Sequence, residues 1–136
     1  MGLNRIDHLS IRTTRLDETR KFYCDVLGLE DGYRPPFKFG GAWLYSRGLA
    51  AVHVVEIDRA NPGPVVEYLG EAALTEADNS GSVDHLAFTA EDAPGMKARF
   101  QALGVPFRER LVPSMQLTQL FVDDPNGITI ELNFPG

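Results

Sequence analysis

Arg5-Ile6-Asp7-His8-Leu9-Ser10-Ile11 and Ser82-Val83-Asp84-His85-Leu86-Ala87-Phe88 are two versions of one phrase. Each alternates apolar and polar residues, the pattern of a half-buried strand. Each centres on Asp-His-Leu, at 7–9 and again at 84–86. The segments downstream of the two copies also match. After the first, Leu16 to Leu27 carries a helical stripe of Leu16, Thr19, Phe22, Tyr23, Val26 and Leu27. Asp17 and Glu18 fall in its first turn, where the helix dipole favours negative charge, and Gly28 closes it. After the second, Ala93 to Leu103 repeats the scheme, with Pro94 near the start, a stripe of Met96, Phe100 and Leu103, and Gly104 at the end.

Each half then runs into strands. Short strands are expected near Glu30 to Tyr33 and Phe107 to Leu111. Gly41 to Ser46 and Ala50 to Ile57 flank the turn signal Arg47-Gly48, and Gln116 to Val122 and Ile128 to Phe134 flank Asn126-Gly127. The order in each half is β-α-β-β-β. We therefore expect an α+β fold of two tandem βαβββ modules, forming a curved mixed-sheet trough with helices outside. The chain reads as one domain, 1–136. Module 1 covers about 3–58, a connector 59–81 and module 2 about 82–135. The connector holds Asn61-Pro62-Gly63-Pro64 and Asn79-Ser80-Gly81, with a short helix expected within 66–76.

At 136 residues, 43% hydrophobic, the chain can bury a core. Its formal charge is −6 and no basic block appears, which argues against a nucleic-acid partner. No apolar run approaches a membrane span, and the N-terminus carries no signal-like segment. The single Cys24 cannot form an internal disulfide and is expected to be inert. A cytoplasmic protein is the expectation. Met1-Gly2 matches the start of a myristoylation signal, but a strand comes directly after it and no second anchor is present.

Strand parity places the chemistry. His8, Ser10 and Arg12 share one face of the first strand. His85, Ala87 and Thr89 share the equivalent face in the second module, and Thr129, Glu131 and Asn133 share the trough side of the last strand. Glu131 is a carboxylate in an otherwise apolar strand with no basic neighbour, and a metal cation is its natural partner. Two imidazoles and one carboxylate make a facial triad, so His8, His85 and Glu131 are the expected ligands. Fe(II) suits such a set best, with Mn, Zn, Ni or Co also able to bind. His53 faces the trough by parity, as a fourth ligand or an acid/base. Glu56 is off that parity and would enter only through a bulge. Phe37, Phe39, Trp43, Tyr45, Met115, Gln116 and Gln119 are candidate pocket residues. The loop from Arg34 to Gly41 reads as a lid, and Pro113-Ser114-Met115 could close the other end.

These residues together resemble the vicinal oxygen chelate superfamily, which includes glyoxalase I, extradiol dioxygenases and bleomycin resistance proteins. The resemblance rests on 7–11, 19–29, 83–88 and 124–132, where Asp124-Pro125-Asn126-Gly127-Ile128-Thr129-Ile130-Glu131-Leu132 closes the chain's last hairpin. It implies a divalent metal on His8, His85 and Glu131 and a small substrate bound through two neighbouring oxygens. The reaction is of the dioxygenase type or the glyoxalase-like lyase/isomerase type. It further implies catalytic roles for His53, for Ser10, where fosfomycin transferases carry a Thr, and for Arg12, where glyoxalase I holds a glutathione carboxylate. A homodimer is implied as well. The alternative is a ligand-sequestering protein of the bleomycin-resistance type that needs no metal.

Overall fold

The computed structural model describes Gly2, residues 5–74 and residues 83–136. The chain divides into two compact units, Met1–Glu76 and Ala77–Gly136. Ser82 of the second expected strand and Asn79-Ser80-Gly81 of the connector lie outside the described residues.

In the first unit, strands β1 (Leu9–Thr13), β2 (Glu30–Gly32), β3 (Gly41–Ser46) and β4 (Leu49–Glu56) form one sheet in the order β1-β4-β3-β2. β1 runs parallel to β4, and the other pairs are antiparallel. In the second unit, β5 (His85–Thr89), β6 (Arg108–Val112), β7 (Leu117–Asp123) and β8 (Thr129–Pro135) take the equivalent order β5-β8-β7-β6, with the same single parallel pair. The duplicated phrase in the sequence is thus a duplicated topology. Each module is a mixed four-stranded sheet with a helix between its first two strands, as expected.

The apolar half of the alternation makes the cores. Ile11, Val52, Val54 and Leu44 are almost wholly buried on one face of the first sheet, and the first helix packs against β3 and β4. That helix departs from expectation. α1 spans only Leu16–Lys21, and Phe22–Val26 continues as a π turn. The Leu27 amide donates to the carbonyl of Phe22, five residues back. Phe22 and Tyr23, both on the expected stripe, are buried there. Gly28 then takes a positive φ of 83° and stops the helix.

In the second unit, α3 (Ala93–Ala102) begins at Asp92, whose carboxylate accepts from the Gly95 amide at 3.0 Å. Phe100 is fully buried, but Leu103, expected on the same stripe, is half exposed. The helix ends at Ala102, so Leu103 is a capping residue that leaves the packed face. In the connector, the short helix starts earlier than expected. α2 covers Gly63–Leu69, and a 3-10 turn covers Glu71–Leu74. Val65 of α2 packs with Val55 of β4 and with Ile57 just beyond it, flanked by Phe39.

The hairpin turns obey their residues. Arg47 and Gly48 both sit at positive φ, 48° and 81°, the pairing that a two-residue hairpin of matching twist requires. The second hairpin is wider than Asn126-Gly127 alone. Asp124, buried, accepts from the amides of Asn126 and Ile128 at 2.8 Å each and organises the loop before β8.

Candidate functional site

Each unit contributes histidine chemistry on the sheet face opposite its core. His8 immediately precedes β1, one residue outside the strand, and shares its face with Ser10. Register pairs Ser10 with His53 of β4, and His53 with Trp43 of β3. The His8 and His53 rings stack with centroids 3.7 Å apart, and His53 stacks in turn on Trp43 at 3.9 Å. Burial, reinforced by His8, holds the His53 pKa below its ordinary value. His53 is therefore neutral at physiological pH and able to accept a proton. Glu56, in register with the buried Thr13, lies off the His53 parity, so no bulge brings it to this face.

The two Asp-His phrases have one geometry. His8 Nδ1 lies 2.7 Å from Asp7 Oδ2, and His85 Nδ1 lies 2.8 Å from Asp84 Oδ2. A carboxylate only accepts, so Nδ1 carries the proton in each ring and Nε2 keeps its lone pair when the ring is neutral. The hydrogen bond from His8 lowers the Asp7 pKa, and the bond to Asp84, aided by the charge of Glu131, raises that of His85. This is the carboxylate–imidazole arrangement that orients metal-bound histidines. The repeated Asp is visible in the sequence beside both histidines, but its role as their orienting partner emerges only from these two bonds.

In the second unit, His85 and Glu131 share a face, and His85 Nε2 stands 3.6 Å from Glu131 Oε1. Glu131 is only 14% exposed. Its other oxygen accepts from Asn133 Nδ2 at 2.9 Å, and Asn133 Oδ1 accepts from Gln119 Nε2 at 3.0 Å. Gln119, whose direction parity leaves open, therefore faces the Glu131 side through its register partner Asn133. A gap of 3.6 Å is too long for a hydrogen bond. It is close to the separation of two donors that each sit about 2.1 Å from one ion. This pair is thus compatible with two positions around a divalent metal. Among the described residues no three His, Cys, Asp or Glu side chains form a metal cluster; the donors come as His8 with His53 in one unit and His85 with Glu131 in the other.

The first unit also holds a pocket of about 110 Å³. His8, Ser10 and His53 line it, as do Phe37, Phe39, Trp43, Tyr68 and Arg34. Its rings form a continuous run of contacts: His8 to His53, Trp43, Phe37, Phe39 and Tyr68. The expected lid loop supplies three of these residues. Arg12 is on the same face, in register with Val55, but is not among the lining residues. Tyr45 does not line the pocket either. Its hydroxyl donates to the Tyr33 carbonyl at 2.6 Å and its ring covers Gly32, so it holds the edge strand. Met115 is largely exposed.

The model of the Glyoxalase/Bleomycin resistance protein/Dioxygenase superfamily matches residues 5–132. The chain belongs to this superfamily. Among curated relatives, "Glyoxylase I 4" of Arabidopsis thaliana is 29% identical over 135 residues, covering 97% of this chain and 71% of the relative. The crystal structure of lactoylglutathione lyase from Agrobacterium tumefaciens superposes with a TM-score of 0.67 at 21% identity, over 98% of this chain and 95% of that one. The fosfomycin resistance protein FosX from Listeria monocytogenes gives 0.69 at 18% identity, over 99% and 96%. At such identities the two structures speak for the fold. The glyoxalase superfamily contains metalloenzymes and resistance proteins, and its glyoxalase I-like members generally use divalent metals. No helix among the described residues is long and apolar enough to cross a membrane.

Cys24, within the π turn of this glyoxalase-superfamily chain, has its thiol pKa pushed up by burial and then by Asp31 and Asp25. Less thiolate is present at a given pH, and thiolate is the reacting form. Alkylation by iodoacetamide near pH 8, monitored by mass spectrometry, should run more slowly on the folded protein than on the same chain in urea. Equal rates would show that the fold does not protect the thiol.

Proposed function

We propose that residues 1–136 act as one domain, a divalent-metal enzyme for a small substrate that presents two neighbouring oxygens. His8, His85 and Glu131 are the protein ligands in this reading. Its single strongest support is the His85–Glu131 pair, with Nε2 freed by the bond from Nδ1 to Asp84 and turned toward a nearly buried carboxylate. Fe(II) is the first choice of metal, with Mn, Zn, Ni and Co as alternatives. Bound there, the cation would act as a Lewis acid toward the substrate's paired oxygens. In this reading His53, which stacks on His8 and whose pKa burial holds down, would take a proton from substrate. Ser10 lines the same pocket and can donate or accept a hydrogen bond, and Arg12 adds positive charge along that face. By analogy with the family the protein works as a cytoplasmic homodimer.

The reaction is of the glyoxalase-like lyase/isomerase type or the dioxygenase type, and the name of the Arabidopsis relative favours the first. Purification without chelator, metal analysis by plasma mass spectrometry and anaerobic reconstitution with Fe(II) test the reading together. About one metal per chain is expected, with turnover of either hemithioacetals or catechols. The aromatic run from Trp43 to Tyr68 supports a second reading, a ligand-sequestering protein. That protein would purify without stoichiometric metal, bind aromatic ligands and turn over neither class.

A further inference from the structure

Arg34 is the cation of the pocket, and the proposed chemistry leaves it without a role. It comes from the loop between β2 and β3 and is half-buried. Its Nη2 donates to the Phe39 carbonyl at 2.6 Å. Its guanidinium carbon lies 5.1 Å from the Phe37 ring centre and 5.3 Å from that of Phe39, within cation–π range of both. Gly41 makes room for it, because a β-carbon there would run into the Val54 carbonyl and stand 3.1 Å from Nη2 and 3.2 Å from Nε. The strand therefore excludes a side chain at the place where the guanidinium lies.

A guanidinium carries five N–H donors and stays charged in proteins. Here one donor goes to a backbone carbonyl, and the rings cover part of the cation. Among the described residues no carboxylate pairs with it, whereas Arg20 is bound to Asp31 at 2.9 Å. A partly desolvated cation of this kind, held in a pocket and left without a counter-ion, is arranged to receive one. The pocket's size selects the partner further. About 110 Å³ is well below the roughly 300 Å³ at which drug-sized sites begin, so it suits a fragment or one arm of a substrate. Its walls of Phe37, Phe39, Trp43 and Tyr68 suit a planar, apolar body.

We infer that Arg34 is a substrate-specificity residue that binds the carboxylate of a small acid whose planar, apolar body packs along Phe37, Phe39 and Trp43. This rests on the reading of the chain as a small-molecule enzyme and narrows the substrate class to carboxylic acids. A planar two-point fork explains why Arg serves here better than Lys.

Trp43 is the single tryptophan and lines the pocket, so its fluorescence reports occupancy. The test titrates the full chain, stripped of metal with EDTA and desalted, with benzoate, benzamide and inorganic phosphate. Removing metal first excludes carboxylate binding to the cation. Benzoate should bind at least about tenfold more tightly than benzamide, the effect of one charge-assisted bond. Arg34→Gln should abolish that preference while leaving benzamide affinity unchanged, and Arg34→Lys should keep part of it. Unchanged benzamide binding and far-UV circular dichroism would show that the pocket is intact in the variants. Equal affinity for benzoate and benzamide, no response to millimolar benzoate, or a loss of both ligands alike in Arg34→Gln would overturn the assignment. Displacement of benzoate by an equal concentration of phosphate would overturn the carboxylate class. Metal content of Arg34→Gln should match the wild type. A wild-type protein that purifies without stoichiometric metal in the absence of chelator, yet prefers benzoate, would refute the metal enzyme and leave the Arg34 assignment standing.

Discussion

On the proposed ligand set, Glu131→Gln is expected to abolish metal retention while keeping the fold. The exchange preserves volume and shape and removes one negative charge. Asn133 Nδ2 donates to Glu131 Oε2 at 2.9 Å, and a glutamine oxygen can accept the same bond. Packing around the strand is therefore retained. What is lost is the anionic donor facing His85 Nε2 across 3.6 Å. Outer partners of metal ligands typically contribute about 10–100-fold in affinity. A direct carboxylate ligand should exceed that, so metal retained through gel filtration should fall close to background. Asp84→Asn supplies the graded comparison. It keeps a hydrogen-bond acceptor for His85 Nδ1 but removes the charge, and should fall within the outer-partner range. Plasma mass spectrometry of both variants, beside thermal melts, decides the matter. A Glu131→Gln protein with undiminished metal would remove Glu131 from the ligand set.

Phe100→Ala should cost about 3–5 kcal/mol of stability, as fully buried aromatic truncations do. Phe100 is completely buried on α3, and its ring meets Phe107 at 5.4 Å between centroids. Leu120 and Ile130, both wholly buried on β7 and β8, belong to the same unit's core. The close-packed interior cannot fill the space left by the ring, so the lost contacts and the cavity add. Against a total stability of roughly 5–15 kcal/mol, this change alone brings the unit near unfolding. Leu103→Ala, a half-exposed position at the end of the same helix, should cost less than about 1 kcal/mol. Urea titration monitored by circular dichroism measures both. Similar values for the two would mean that burial does not set the energetics of α3.

The repeat carried most of the fold in the linear chain. Alternation in Leu9 to Ile11 and in Leu86 to Phe88 marked the core side of two strands, and Gly28 and Gly104 marked two helix ends. These signals are local. A strand's period and a helix stop depend on residues within a few positions of one another, so a single sequence suffices to read them. The common face of His85 and Glu131 was legible for the same reason, since parity alone assigns it once the strands are known.

Other features depend on how distant segments register and how side chains then orient. The π turn at Phe22–Val26 rests on which backbone carbonyl each amide reaches, as Leu27 reaches Phe22, and the apolar stripe does not specify that. Tyr45 parts from Trp43 because its hydroxyl reaches the Tyr33 carbonyl just past the edge strand. The relay from Gln119 through Asn133 to Glu131 exists because β7 and β8 pair those positions. Arg34 enters the pocket because a loop folds back over Gly41, where the strand has no side chain. The sequence by itself determined the order of strands and helices in each unit and the sheet face on which His53, His85 and Glu131 stand. Tertiary structure decided which of them meet, because hydrogen bonds and ring contacts form over a few ångströms of space between groups far apart along the chain.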